Sequence, residues 1–261
     1  MSTTSSTPPT PSKSVTARAL SVLGAFSAVT PRLNLSQISR ATGLPVATVF
    51  RLAGELEDGG FLQRDGSNFY SLGIKLWEMG LLTPVHGRLR EIAMPFLLNL
   101  QYRTRETVQL AVLDGLDAVY VEKLTSEVGV PIQSRIGSRI PLHATAVGQV
   151  LLAYSDSGLI DQVVDSPLTK YTEGTITSKR TLLRELSNVR DRGYAYSASE
   201  YLPGAVAIAA PVFVGGKIEA ACGVVNYDNR ADIEECYSSL QEACTGFAAR
   251  LEELKKSGQS Y

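Results

Sequence analysis

At 261 residues, with 44% hydrophobic and 20% charged residues, the chain can build two domains with sizeable cores. Its net charge of −1 gives no support to nucleic-acid binding by itself. No apolar run approaches the roughly 20 residues that span a bilayer, and the N-terminus lacks the apolar stretch of a secretory signal.

In chain order, residues 1–13 are rich in Ser, Thr and Pro, cannot form a core, and are expected as a disordered tail. From Val15 to Ala28, Val15, Ala19, Val22, Leu23 and Phe26 recur at helical spacing, and Pro31 closes the segment. Between Leu35 and Leu56 the pattern is of two short helices. Ser36 suits an N-cap, Ile38 and Ala41 face inward, and Gly43 can take the left-handed conformation that ends a helix. Pro45 then suits the first position of a second helix, in which Val49, Leu52, Ala53 and Leu56 define a buried side. Val46, Ala47, Phe50, Arg51 and Gly54 share the opposite side. Taken alone, this is either a helix-turn-helix that enters a DNA major groove or an ordinary helical hairpin.

After Gly59-Gly60 the period changes. Phe61–Gln63 and Phe69–Leu72 read as strands around the polar turn Arg64–Asn68, completing a winged helix-turn-helix over residues 14–73. Residues 1–66 hold six basic and four acidic residues, a net +2, so the remainder sums to −3, the sign expected of an N-terminal DNA module. The DNA-facing set is Ser36 and Gln37, then Val46, Ala47, Thr48, Phe50 and Arg51, with Arg64 on the wing.

Residues 74–87 read as a linker helix and hinge, with the only tryptophan, Trp77, either docked on a partner subunit or packed in a core between domains. The second domain, residues 88–256, opens with a helix from Arg88 to about Arg103. Strands are expected at Thr107–Asp114, Asp117–Leu124 and Val130–Ile136, and helices at Ala144–Ala153 and Thr177–Arg192. Strands at Tyr194–Ser197, Ala205–Val214 and Lys217–Asn226 follow, then a final helix from about Ala231 to Lys255. Antiparallel strand clusters separated by helices indicate an α+β domain with one sheet.

Little in the sequence suggests catalysis. His86 and His143 are the only histidines, and Cys222, Cys236 and Cys244 lack metal-type spacing, so neither a metal nor a cofactor is expected. The same odd, unpatterned cysteines suggest reduced thiols in a cytoplasm. A Cys222–His143 nucleophile pair is conceivable, but Cys222 falls within an apolar strand, where buried structural cysteines are the commoner case. The start of the helix at Ala144–Val147 offers free amides and a positive dipole end to a carboxylate. An apolar ligand body would then rest on Ile132, Ala207 and Val225, with the Tyr194 and Tyr196 hydroxyls, if inward, fixing its orientation. Capping of those amides by Thr145 and water is the competing reading.

Several segments, in order, resemble the IclR family of bacterial transcriptional regulators over about residues 14–250. They include ARALSVL, LSQISRATGLPVATVFRL, EDGGFLQRD, LREIAMPFLLNL, ETVQLAVLDGLDAVYVEKL, RIPLHATAVGQVLLA and VRDRGYAYSASEYLPGAVAIAAPVF. The resemblance implies a winged-helix domain, a dimerising linker helix and a GAF-like effector domain with a central antiparallel sheet. It also implies dimers or dimers of dimers whose affinity for double-stranded operator DNA changes when a small organic acid or aromatic compound binds. Family members commonly carry polar residues where this chain has Val46, Ala47 and Phe50, which leaves Arg51 as the one strong donor on that face. Their frequent Asp, Cys and Ser pocket positions correspond here to Ser197, Ala207 and Gly223, with Val225 nearby. The effector set is therefore Ile132, Ala146, Val147, Tyr194, Ser197, Ala207, Gly223 and Val225, in a cavity expected to be roomy and apolar. The competing function is a small-molecule sensor or enzyme whose N-terminal domain mediates protein contacts.

Overall fold

The computed structural model describes residues 14–27, 29–82, 84–125, 135–227 and 235–258. The chain divides into two units at Thr83 and Pro84. The expected tail, residues 1–13, lies outside the described residues.

In the first unit α1 (Val15–Leu23), α2 (Leu35–Thr42) and α3 (Val46–Asp58) precede a hairpin of β1 (Leu62–Arg64) and β2 (Tyr70–Leu72). The helix expected to reach Ala28 ends at Leu23. Gly24 closes it with its N–H on Leu20 O, and Phe26 packs on the core from the turn beyond. Ala28 lies outside the described residues. α2 starts two residues earlier than a Ser36 cap requires. Asn34 is the cap: its Oδ1 accepts from Gln37 N at 3.0 Å, and Gln37 Oε1 accepts from Asn34 N at 2.9 Å. Two orphan donors are satisfied reciprocally, worth about 1 kcal/mol. Gly43 ends α2 at φ 72°, which a side chain rarely tolerates. Pro45 stands just before α3 and not within it.

Val49, Leu52 and Ala53 of α3 bury against Val22, Ile38, Leu62 and Tyr70, which fixes the angle between α2 and α3. The wing pairs Leu62 with Leu72 and Arg64 with Tyr70, and Leu33 adds a bridge to Tyr70. α4 (Ile74–Leu81) buries no residue; Ile74, Trp77, Met79, Leu81 and the following Leu82 are all exposed.

The second unit begins with α5 (Pro84–Thr104), so residues 84–87, expected as a hinge, form its first turn. Then come β3 (Thr107–Asp114), β4 (Asp117–Leu124), β5 (Arg139–Pro141), α6 (Ala146–Ala153), α7 (Ser157–Asp165) and α8 (Lys179–Arg192). β6 (Ala195–Ala198), β7 (Ala205–Val214), β8 (Lys217–Tyr227) and α9 (Glu235–Lys256) complete it. One six-stranded sheet in the order β5-β4-β3-β8-β7-β6, antiparallel throughout, carries helices on both faces.

Leu97 and Leu100 of α5 and Phe247 and Leu251 of α9 pack on Val108, Leu110, Ile208 and Val224. On the other face, α6 to α8 bring Val150, Val163, Leu182 and Leu186 against Ala111, Ala209 and Ala221. The small side chains of that second face let α6 lie close to the sheet with every residue buried. Of the strand expected at Val130–Ile136, residues 130–134 lie outside the described residues. Arg135–Ser138 forms a turn instead, with Gly137 at φ 83° and Ile136 exposed. β5 is too short to leave a periodic signal, and α7, capped by Asp156 Oδ1 on Leu159 N at 2.9 Å, was not anticipated.

Candidate nucleic-acid interface and ligand pocket

The outward side of α3 matches its pattern. Val46 and Phe50 are 47% and 57% exposed, Ala47 and Arg51 are exposed, and Thr48 is half-buried. A large aromatic and a valine left in water on one helix face have no partner inside the unit, as a surface that docks elsewhere requires. Arg51 is not idle: its Nη1 donates to Glu55 Oε1 at 2.7 Å, an exposed pair one turn apart. Ser36 and Gln37 are exposed at the start of α2, with the Gln37 carbonyl oxygen engaged in the cap.

On the wing, Arg64 donates to Asn68 Oδ1 and lies 5.7 Å from the Tyr70 ring centre. Asp65 folds the tip by accepting from Ser67 N and Phe69 N, and from Arg32 Nε at 2.7 Å. The Phe69 amide first, with Arg32 and Ser67 in support, holds its carboxyl below the usual carboxylate range. Arg32 also stacks 4.5 Å above Phe69, a wing position the sequence suggested only as a charge.

In the second unit the start of α6 opens on a cavity of about 530 Å³, its mouth included. The sheet explains which predicted residues gather there. Ser197 pairs with Ala207, and Ala207 with Val225, forming one row across β6, β7 and β8; Gln109 pairs with Gly223 in the next row. Ser197, Ala207, Gly223 and Val225 therefore line one face, and Ala146 and Val147 of α6 close over them. Ile132 lies outside the described residues.

Tyr194 is a correction. It stands an odd number of residues from Ser197, and alternation along the strand sends it to the opposite face. There it packs on Tyr237 of α9, ring centres 4.5 Å apart, with Arg192 stacked on it. Tyr196 likewise points away from the buried face. Gly223 does not enlarge the cavity either: a Cβ there would stand 2.9 Å from Val147 Cγ1, so the space it frees is already filled.

Thr145 caps α6 by accepting from Gly148 N at 3.2 Å and gives its own proton to Pro141 O. The Ala146 and Val147 amides have no hydrogen-bond partner among the described residues. Thr145 itself thus caps Gly148 and not these two.

The lining residues missed from the sequence are mostly polar. The polar ones are Gln109, Tyr120, Glu200, Tyr201 and Tyr227, beside the apolar Leu202, Ala205 and Ile208. Tyr227 continues the period of two from Gly223 and Val225, and Gln109 follows from the register, so both carried a readable signal. Glu200 and Tyr201 sit in an irregular turn after β6 and carried none. That turn is held by Ser199 at φ 54° and by Thr172 and Thr175, whose hydroxyls donate to the Ser199 and Glu200 carbonyls. Glu200, 9% exposed, accepts from Gln149 Nε2 at 2.8 Å and from Ser197. Burial outweighs these bonds and pushes its carboxyl up to about 7. Burial also raises the Tyr120 hydroxyl well above its ordinary value.

Cys222 and His143 do not meet. Cys222 belongs to the α5/α9 layer beside Cys244, whereas the His143 ring lies near Tyr171 with Nε2 at 3.0 Å from Thr169 O. Among the described residues no cluster of three His, Cys, Asp or Glu side chains could hold a metal, and no helix is long and apolar enough to cross a membrane.

Two family models match the chain: the IclR helix-turn-helix domain over residues 15–66 and the bacterial transcriptional regulator IclR C-terminal domain over residues 84–251. The chain is 32% identical to the HTH-type transcriptional regulator XynR of Escherichia coli, across 84% of this chain and 88% of that protein. It is 37% identical to the HTH-type transcriptional regulator KipR of Bacillus subtilis, across 70% and 74%. Among solved structures, an IclR homologue of Microbacterium hydrocarbonoxydans complexed with 4-hydroxybenzoate superposes with a TM-score of 0.87 at 32% identity, covering 92% of this chain and all of that one. Thermotoga maritima IclR gives a TM-score of 0.74 at 29% identity, covering 90% and 97%. With both of its units matched in order, the chain belongs to the IclR family of bacterial transcriptional regulators, which pair a DNA-binding helix-turn-helix with an effector-binding domain.

Proposed function

We infer that the protein is a cytoplasmic one-component regulator without enzymatic activity, in which α3 lies in the major groove of double-stranded operator DNA. Val46, Ala47, Thr48 and Phe50 meet thymine methyls and the groove floor, and Arg51 meets a guanine edge. Ser36 and Gln37 approach phosphates from α2, and Arg64 does so from the wing. The apolar face of α4, with Trp77 62% exposed, supports a homodimer or dimer of dimers in which that face is covered.

The observation that carries the effector half is the cavity at the start of α6. Ala146 and Val147, whose amides have no partner among the described residues, line it beside Ala207, Ile208 and Val225, an arrangement suited to a carboxylate with an aromatic or branched body. The 4-hydroxybenzoate bound to the M. hydrocarbonoxydans homologue supports an aromatic acid as the class. In this pose the carboxylate sits at Ala146 and Val147 and the ring over Ala207 and Val225.

A gel shift with the DNA flanking the protein's own gene tests the whole. A specific complex whose affinity changes on adding aromatic acids is expected. No specific shift in low salt, with or without those acids, rules the regulator out and favours a sensor whose first unit binds protein.

A further inference from the structure

Among the described residues the cavity holds a buried carboxyl and no base to pair with it. Among the described lining residues the polar groups are Gln109, Tyr120, Thr145, Ser197, Glu200, Tyr201 and Tyr227, and none is Lys, Arg or His. Gln149 and Ser197 donate to Glu200 from its own side of the pocket, while Gln149 Oε1 is buried without a hydrogen-bond partner. Thr172 and Thr175 clamp the backbone of the turn carrying Glu200, and Gln149 and Ser197 hold its carboxyl.

A ligand that fills the cavity must therefore do something for an acceptor already stripped of water. An ether or aliphatic group adds no donor to the two it already has from Gln149 and Ser197. A second carboxylate meets it as a like charge in a poorly screened site.

We propose that Glu200 selects the effector. The carboxyl receives a hydrogen-bond donor, a phenolic or alcoholic hydroxyl or an amide N–H, at the end of the ligand opposite its anionic group, and it turns dicarboxylates away. This deepens the effector reading of the same pocket and rests on it.

Binding a donor favours the ionised carboxyl, so affinity rises as the pH climbs through about 7 and a proton leaves Glu200. A dicarboxylate, needing Glu200 protonated, shows the opposite slope. The other titratable groups around Glu200 are Tyr120, Tyr201 and Tyr227 in the same cavity and Glu185 of α8, itself paired with Arg192. His143 touches Gln149 only through its backbone carbonyl. The tyrosines stay neutral across this range, since burial raises all three.

The test is calorimetric titration of the full-length protein with benzoate, 4-hydroxybenzoate, 4-methoxybenzoate and terephthalate, which share a ring and a carboxylate and differ only at the para position. The 4-hydroxy compound should bind at least about tenfold more tightly than benzoate or its methyl ether, and terephthalate not measurably at pH 8. Its affinity should rise from pH 6 to 8 in the wild type and be flat in Glu200→Gln. In that variant the hydroxyl advantage should also shrink to about threefold or less. Binding lost in Ala207→Phe but unranked by the para group, or independent of pH in the wild type, overturns the selective role of Glu200 alone. Binding by none of the four, or binding undiminished in Ala207→Phe, removes the pocket assignment and the proposal with it.

Discussion

In the proposed groove assignment Arg51 would come to DNA with a partner already in hand, because Glu55 one turn along α3 holds its guanidinium at 2.7 Å. An exposed pair of this kind is worth only a few tenths of a kcal/mol, far less than a bidentate contact to a guanine edge, so DNA wins the competition. Arg51→Ala should cost roughly 1–3 kcal/mol of operator affinity and relax base preference at one position, as a binding series on substituted operators would register. Arg64 on the wing differs in kind. Arg64→Ala should weaken all sequences alike and reduce the salt slope by about one, and full retention of affinity in both variants would rule out this groove assignment. Glu200 has a consequence for stability as well as for ligand choice. Its carboxyl is raised from 4.5 to about 7, so the folded state holds a proton that the unfolded chain releases. Stability should then fall as the pH rises from about 4.5 to 7, by on the order of 3 kcal/mol, and stay down above that. Urea unfolding of wild type against Glu200→Gln should show the two curves parting across this window, with the variant the more stable at pH 8.

Among the elements, α2 and α6 owe their positions to their first turns. In α2 the reciprocal bonds of Asn34 and Gln37 set the start, and Gly43 at φ 72° sets the stop and hence the angle at which α3 is presented. Asn34→Ala should destabilise the first unit by about 1 kcal/mol. Gly43→Val should cost more, about 1–2 kcal/mol, since a β-branched residue is poorly accommodated in the left-handed region. Denaturant midpoints at unchanged slope would check both. α6 sits deep because the sheet beneath it is paved with Ala111, Ala209, Ala221 and Gly223. Gly223→Ser brings a Cβ to 2.9 Å from Val147, so it should displace that side chain and alter the pocket wall without adding room.

For the molecule as a whole, the division at Thr83 and Pro84 means that each unit has its own core. A ligand held only by the second unit stabilises that unit by mass action, about 2.7 kcal/mol at a hundred times its dissociation constant. Calorimetric scanning should therefore move the second unit's transition and leave that of the winged helix where it was. One recognition helix reads too few base pairs for operator specificity, which paired modules overcome by binding two half-sites. Light scattering should accordingly give at least a dimer at micromolar concentration. A monomer with unchanged specific DNA binding would rule out α4 as the subunit contact.

Local periodicity determined a great deal from the sequence alone. The two helices around Gly43, the β7–β8 hairpin, β3 and β4 follow from alternation and turn chemistry, since backbone hydrogen bonding repeats with a fixed step along the chain, whereas Ser197, Ala207, Gly223 and Val225 were pointed to by the family resemblance. Ends of elements were less legible: Asn34 displaced Ser36 as a cap, because polar residues two apart compete for the same orphan amides, and Gly24 cut α1 short. Tyr194 was misplaced by not carrying the alternation back through β6. Only the tertiary structure decided that Glu200, in an irregular turn with no period, enters the pocket, that Val147 fills the space beside Gly223, and that Cys222 and His143 belong to different places. Those facts depend on which strands pair and which helix lies over them, contacts between residues far apart in the chain that no local repeat encodes.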